Sequence, residues 1–139
     1  MSVVPSQILY LEHGNRRLYA EAIQVVDTRH LCWARPTLLI CGLPTDGDAG
    51  KRQDAIASAA TDLTQSALNL YALEECPDLI WPLSLFDIAY DLDFFSLLVQ
   101  LKMNDHAPGS EHGREPLNQF IRSFWHAHTE TFQPHPANG

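Results

Sequence analysis

Residues 17–41, RLYAEAIQVVDTRHLCWARPTLLIC, put two runs of β-favouring side chains on either side of one polar cluster, with no helical spacing between them. Tyr, Ile, Val, Leu, Cys and Trp suit a pleated, half-buried surface, and Asp27-Thr28-Arg29-His30 is the kind of cluster that ends such runs. The segment predicts a β-hairpin with strands over 17–26 and 31–41. In the first of these, Leu18, Ala20, Ala22 and Val26 share one face while Tyr19, Glu21, Ile23 and Val25 share the other. Both faces are therefore partly apolar, and the strand is expected to be covered on each side, as in a curled sheet or small barrel. Pro36 cannot donate to a ladder, so it belongs at an edge, a bulge or a bend.

The flanking segments extend this pattern. A strand over 6–12 precedes the turn cluster His13-Gly14-Asn15, in which positive φ is cheap. Residues 42–53 read as a loop, and the Ala-rich stretch 54–66 as a helix capped by Asp54, weakened by Thr61 and Thr64. Short strands follow over 68–73 and 79–81, the second closed by Pro82. Asp91 suits the N-cap of a helix reaching Lys102, with Phe94, Leu97, Leu98 and Leu101 on one face and Asp93 and Lys102 complementing its dipole. Residues 104–114 read as a flexible polar linker. Beyond it lies the clearest periodicity in the chain: Leu117, Phe120, Ile121, Phe124, Trp125 and His128 mark an amphipathic helix over 115–132, with Pro116 at its start. The tail 133–139 is expected to be disordered. The predicted fold is α+β: residues 1–103 form a small, bent, mostly antiparallel sheet of about five strands, SH3-like or a related small barrel, with a helix packed on it, followed by the linker and the C-terminal amphipathic helix.

Composition excludes some functions. The chain has 139 residues and 45% hydrophobic residues, enough for one domain with its own core. No run approaches the roughly 18 apolar residues of a membrane-spanning helix. The net charge is −8 and lopsided: residues 1–52 carry six Lys/Arg against five Asp/Glu, and residues 53–139 three against twelve. Nucleic acid needs clustered cations, so it is not expected as a partner. A basic protein surface would complement the acidic half. The start, MSVVPSQILYLEHG, lacks a basic region and a long apolar run, and the three cysteines are an odd number; together they predict reduced thiols in a cytoplasmic protein.

Few motifs carry chemistry. Residues 45–52, TDGDAGKR, imitate a phosphate loop, but Thr45 stands where its first glycine belongs, Arg52 replaces the magnesium-binding hydroxyl, and two aspartates would repel phosphate. As a calcium loop the segment fails at Gly50 and Ala57, where oxygen ligands are needed. Of the seven histidines, His126 and His128 with His112 and His135 are the densest group. Residues two apart on a helix point about 200° away from each other, and no zinc spacing is present. His30 and Cys32 can share a strand face and supply a base and a nucleophile, yet an apolar run raises a thiol pKa and no third group is legible. Asp91 and Asp93 read as a helix start rather than as an acid and base. No catalytic residue, metal or cofactor is assigned.

Two aromatic features point to recognition. Trp33, with Arg35 and Pro36, fits an open sheet edge to which a partner strand or peptide adds, and Trp81 belongs to the same aromatic edge; Phe120, Phe124 and Trp125 form a stripe on the last helix. The alternative for both is burial in the domain's own core. Residues 17–36, together with Asp78-Leu79-Ile80-Trp81-Pro82 and Leu85-Phe86, resemble a group of small soluble cyanobacterial proteins of uncharacterised function. The likeness covers about the first two-thirds of the chain, brings no catalytic or binding residue with it, and implies an accessory role in a photosynthetic cell. The function expected is a non-catalytic binding or assembly module that meets another protein through Trp33, Arg35, Trp81, Phe120, Phe124 and Trp125, with homo-oligomerisation left open. The rival is a small hydrolase or transferase using His30 and Cys32.

Overall fold

The computed structural model describes residues 3–45, 49–73, 75–90, 92–104 and 110–132. The first hairpin joins β1 (Ile8–His13) to β2 (Arg16–Val26) through Gly14-Asn15, with Gly14 at φ +60°. Positive φ at the first central residue is what a two-residue type II′ turn needs. A single 3-10 turn, Asp27–Arg29, then leads β2 into β3 (Leu31–Cys41), with His30 in the left-handed region at φ 53°. This hairpin is the one the sequence predicts.

Two irregularities in the β2–β3 ladder decide what faces where. Between Ala22 and Gln24 the register shifts, so Ile23 is an extra residue; between Tyr19 and Ala20 it shifts again, with Thr37 the extra residue on β3. Each bulge moves the following side chains to the opposite face. Val25 consequently packs with Leu18, Ala20 and Ala22, not with Tyr19 as uninterrupted alternation predicts. At Pro36 the outer flank of β3 also changes partner: Leu31–Ala34 pair with β5 (Leu79–Pro82), and Leu38–Cys41 with β4 (Asn69–Ala72). Proline, with no N–H to give, sits where the ladder is interrupted.

The sheet is seven-stranded among the described residues, in the order β6-β1-β2-β3-β4-β7 with β5 beside the first half of β3. Six strands pair antiparallel. β6 (Asp87–Ile88) lies against β1, and β7 (Ser110–His112) runs parallel to β4 at the far edge. The sheet does not close, and this corrects the barrel expectation. Its two-sided apolar character arises because helices cover both faces, rather than because the sheet wraps around an interior. Leu9, Leu11, Leu18, Ala20, Cys32 and Leu39 pack on one side with Leu117, Phe120 and Phe124 of α3 (Arg114–Ala127). Tyr19, Leu38, Ile40 and Leu70 pack on the other with Ile56 and Ala59 of α1 (Ala49–Thr61) and Phe94, Leu97 and Leu101 of α2 (Asp93–Met103).

Several sequence expectations need correction. The loop expected over 42–53 ends at α1, which starts at Ala49 and stops at Thr61 before a 3-10 turn, Leu63–Gln65, capped by Asp62. Arg52 belongs to this helix and reaches Glu12 Oε1 at 3.3 Å and the carbonyls of Pro44 and Gly14 at 2.8 and 2.6 Å. Glu12 also accepts from Arg17, the one buried charged residue among those described, whose guanidinium lies 4.3 Å from the Tyr10 ring centroid and donates to the Tyr19 hydroxyl. Burial alone would lower the Arg17 pKa; Tyr19 and Glu12 more than offset it. The expected linker over 104–114 contains β7, and Gly113 after it is buried so tightly against β4 that a Cβ there would overlap Leu73 and lie 2.9 Å from the Ala72 carbonyl. The last helix breaks at His128, with α4 (Thr129–Phe132) continuing beyond it. Asp91 and residues 133–139 lie outside the described residues.

Candidate functional site

The expected recognition residues separate into inward and outward sets. Phe120 and Phe124 are buried beneath α3, because their spacing places them with Leu117 on the sheet-facing stripe of a strongly amphipathic helix. Trp81 joins them: Cys32↔Trp81 are register partners, so Trp81 lies on the core side of the sheet, stacked on Phe124 at 5.5 Å and met edge-on by Phe132 at 4.9 Å. Aromatic pairs of this kind add about 0.5–1.5 kcal/mol each to the burial of their rings. These three side chains therefore pack α3 and α4 onto the domain, Phe120 and Phe124 fully buried and Trp81 half-buried. Trp125 remains 40% exposed at the edge of the cluster, with Phe132 stacked at 6.1 Å.

Trp33 is not at an open edge. β5 occupies the outer flank of β3 there, with Trp33 opposite Ile80. The two form an exposed cross-strand pair on the face that α1 and α2 cover elsewhere, Trp33 being 37% and Ile80 61% exposed. Asp78 fixes the polar side of this patch: Trp33 Nε1 donates to Oδ2 at 2.8 Å and Arg35 Nε to Oδ1 at 3.3 Å. Arg35 lies two residues along the same face and reaches a pocket of about 420 Å³ lined also by Pro36, Thr37, Ala72 and the Leu98–Lys102 turn of α2.

Among the described residues, the longest row of exposed apolar side chains runs along α2, where sequence reasoning did not look. The N-cap residue Leu92 and Phe95, Val99 and Met103 of α2 are 76, 55, 55 and 71% exposed, and their spacing of i, i+3, i+7 and i+11 puts them in one row along the helix. The inward row of Phe94, Leu97 and Leu101 accounts for the other side. The segment DFFSLLVQLKM carries charge only near its ends and is apolar nearly all round. That composition was the available signal, since such a helix is ordinarily enclosed on every side.

The catalytic alternative gains no geometry. Cys32 is fully buried in the core under α3, burial pushes its thiol above the ordinary value, and its Sγ–H points to the Trp33 carbonyl at 3.8 Å. His30 is exposed at the end of the 3-10 turn. The structure does not bring the two together as base and nucleophile. Burial raises the thiols of Cys41 and Cys76 as well. Among the described residues no three His, Cys, Asp or Glu side chains converge to hold an ion; His128 Nδ1 is engaged with the Phe124 carbonyl at 2.9 Å. No helix is long and apolar enough to cross a membrane among the described residues. No family model, curated protein or solved structure matches this chain.

Proposed function

We propose that this protein is a non-catalytic binding or assembly module that recognises another protein through the outward face of α2. One observation carries the reading: four large apolar side chains, Leu92, Phe95, Val99 and Met103, stand in a row in water on a helix whose opposite row is already buried in the core. Each costs about 25 cal/mol per Å² of apolar surface left wet, a cost a partner's groove removes. Helix-in-groove recognition reads side chains at this spacing. The chain is net acidic at −8, with Asp54 exposed on the neighbouring α1 and Asp62 exposed at the 3-10 turn after it, so a partner groove rimmed by basic residues is favoured. The acidic balance disfavours nucleic acid in the same role. An accessory role in a photosynthetic cell, implied by the resemblance of residues 17–36, is part of this proposal.

The test is the double variant Phe95→Ser/Val99→Ser. Cross-linking in cells of the source organism, followed by purification, should recover a stoichiometric partner with the unaltered protein and lose it with the variant, whose denaturation midpoint stays unchanged. Equal recovery with both forms would remove α2 as the recognition surface.

A further inference from the structure

The pocket beside Arg35 owes its existence to Pro36. β5 pairs with β3 as far as Ala34 and β4 pairs with it only from Leu38 onward, so Arg35-Pro36-Thr37 have no strand on their outer flank. The last turns of α2 roof this gap and leave a hollow of about 420 Å³. Pockets from about 300 Å³ upward hold small molecules. The polar atoms of the floor are satisfied internally: the Thr37 hydroxyl donates to the Tyr19 carbonyl at 3.0 Å, and the Thr37 carbonyl accepts from the Leu73 amide at 3.2 Å. What the hollow offers is therefore mainly apolar, from Pro36, Ala72, Leu98 and Leu101.

Its mouth is different. Arg35 and Lys102 stand there, two of the nine Lys/Arg in a chain of net charge −8. Arg35 spends its Nε on Asp78 and keeps its terminal nitrogens uncommitted among the described residues, with 56% of the side chain in water. Lys102 has no carboxylate in ion-pair range among the described residues. Arg17 and Arg52, by contrast, are both committed to Glu12. We infer that this pocket binds a small amphipathic anion, such as an aliphatic or aromatic carboxylate, with its apolar body against Pro36, Ala72, Leu98 and Leu101 and its charge between Arg35 and Lys102. Lys102 lies in the last turn of α2, where the helix dipole is negative, so an anion depends on both cations together. The site is separate from the outward row of α2, and neither reading requires the other.

The probes are octanoate and its neutral counterpart octan-1-ol, titrated into the full chain while amide chemical shifts are followed. Octanoate should shift Thr37, Ala72, Leu98 and Lys102 saturably and bind more tightly than octanol. Arg35→Glu and Lys102→Glu should each weaken octanoate by about fivefold to tenfold and leave octanol unchanged. Leu98→Trp, which fills the hollow, should weaken both, and the charge variants decide the matter if it does not fold. Phe95→Ser/Val99→Ser should leave octanoate binding intact, which keeps failure of the α2 surface distinct from failure of the pocket. The inference is overturned by the absence of saturable shifts at several millimolar octanoate, by equal affinity for acid and alcohol, by indifference to both charge reversals, or by shifts centred on Phe95 and Val99.

Discussion

Helices α2 and α3 occupy opposite faces of one sheet and solve the same problem differently. α3 has a single apolar stripe, Leu117, Phe120 and Phe124, and spends it on the core, where Trp81 and Phe132 complete an aromatic stack around it. α2 has two rows: Phe94, Leu97 and Leu101 are consumed by the core, and Leu92, Phe95, Val99 and Met103 are left over. Clear amphipathicity thus marks a helix whose apolar face is already satisfied. A helix that is apolar all round but packed on one side carries a surplus, and the surplus is the better guide to recognition.

The contrast breaks most sharply if α3 proves dispensable. Phe120→Ala should cost about 3–5 kcal/mol, and removal of residues 114–139 should unfold the protein, both read by urea denaturation. A truncated form that stays folded would favour α3 as a partner-binding element over a purely structural one. On α2 the inward Leu97→Ala should cost about 2–5 kcal/mol, whereas the outward Val99→Ser should stay within about 0.5 kcal/mol. Similar losses at the two positions would show that the outward row is buried in solution, for instance by a second copy of the chain. Gly113→Ala, at the close approach of α3 to β4, should cost about 1–3 kcal/mol, because the new Cβ meets the Ala72 backbone and not only movable side chains.

A smaller effect reports on the core under α3. Burial raises the Cys32 pKa above its ordinary 9.0, so the folded state holds the thiol proton more firmly than the unfolded chain does. This contribution is complete below about pH 9 and is lost as pH rises through the native value. Denaturation midpoints should therefore fall with alkaline pH more steeply in the unaltered protein than in Cys32→Ala. The native thiol should also resist iodoacetamide, and rapid alkylation at neutral pH would favour the His30–Cys32 alternative.

Much of the frame was legible in the sequence. The β2–β3 hairpin, with Pro36 at its interruption, and the sheet-facing stripe at Leu117, Phe120 and Phe124 follow from local signals: period-two alternation, turn residues and helical spacing. β6 and β7 were not legible. Asp87–Ile88 and Ser110–His112 are too short to show a period, and they become strands only because β1 and β4 offer them partners. The switch of Val25 to the other face was hidden for a related reason, since a bulge is a property of two paired strands and not of either alone.

Trp33 and Trp81 sum up the division. Alternation within each run settles that both belong to strands, because φ/ψ preference and side-chain period act over neighbouring residues. Which of them meets water depends on the register between β3 and β5 and on where α3 lands. Register sets Trp81 beside Cys32 beneath α3 and Trp33 beside Ile80 outside, and it places Arg35 at the mouth of a pocket with Lys102 from a distant helix. Such pairings join residues tens of positions apart. They are fixed by the competition of whole elements for one core, a free energy that no local window of the chain contains.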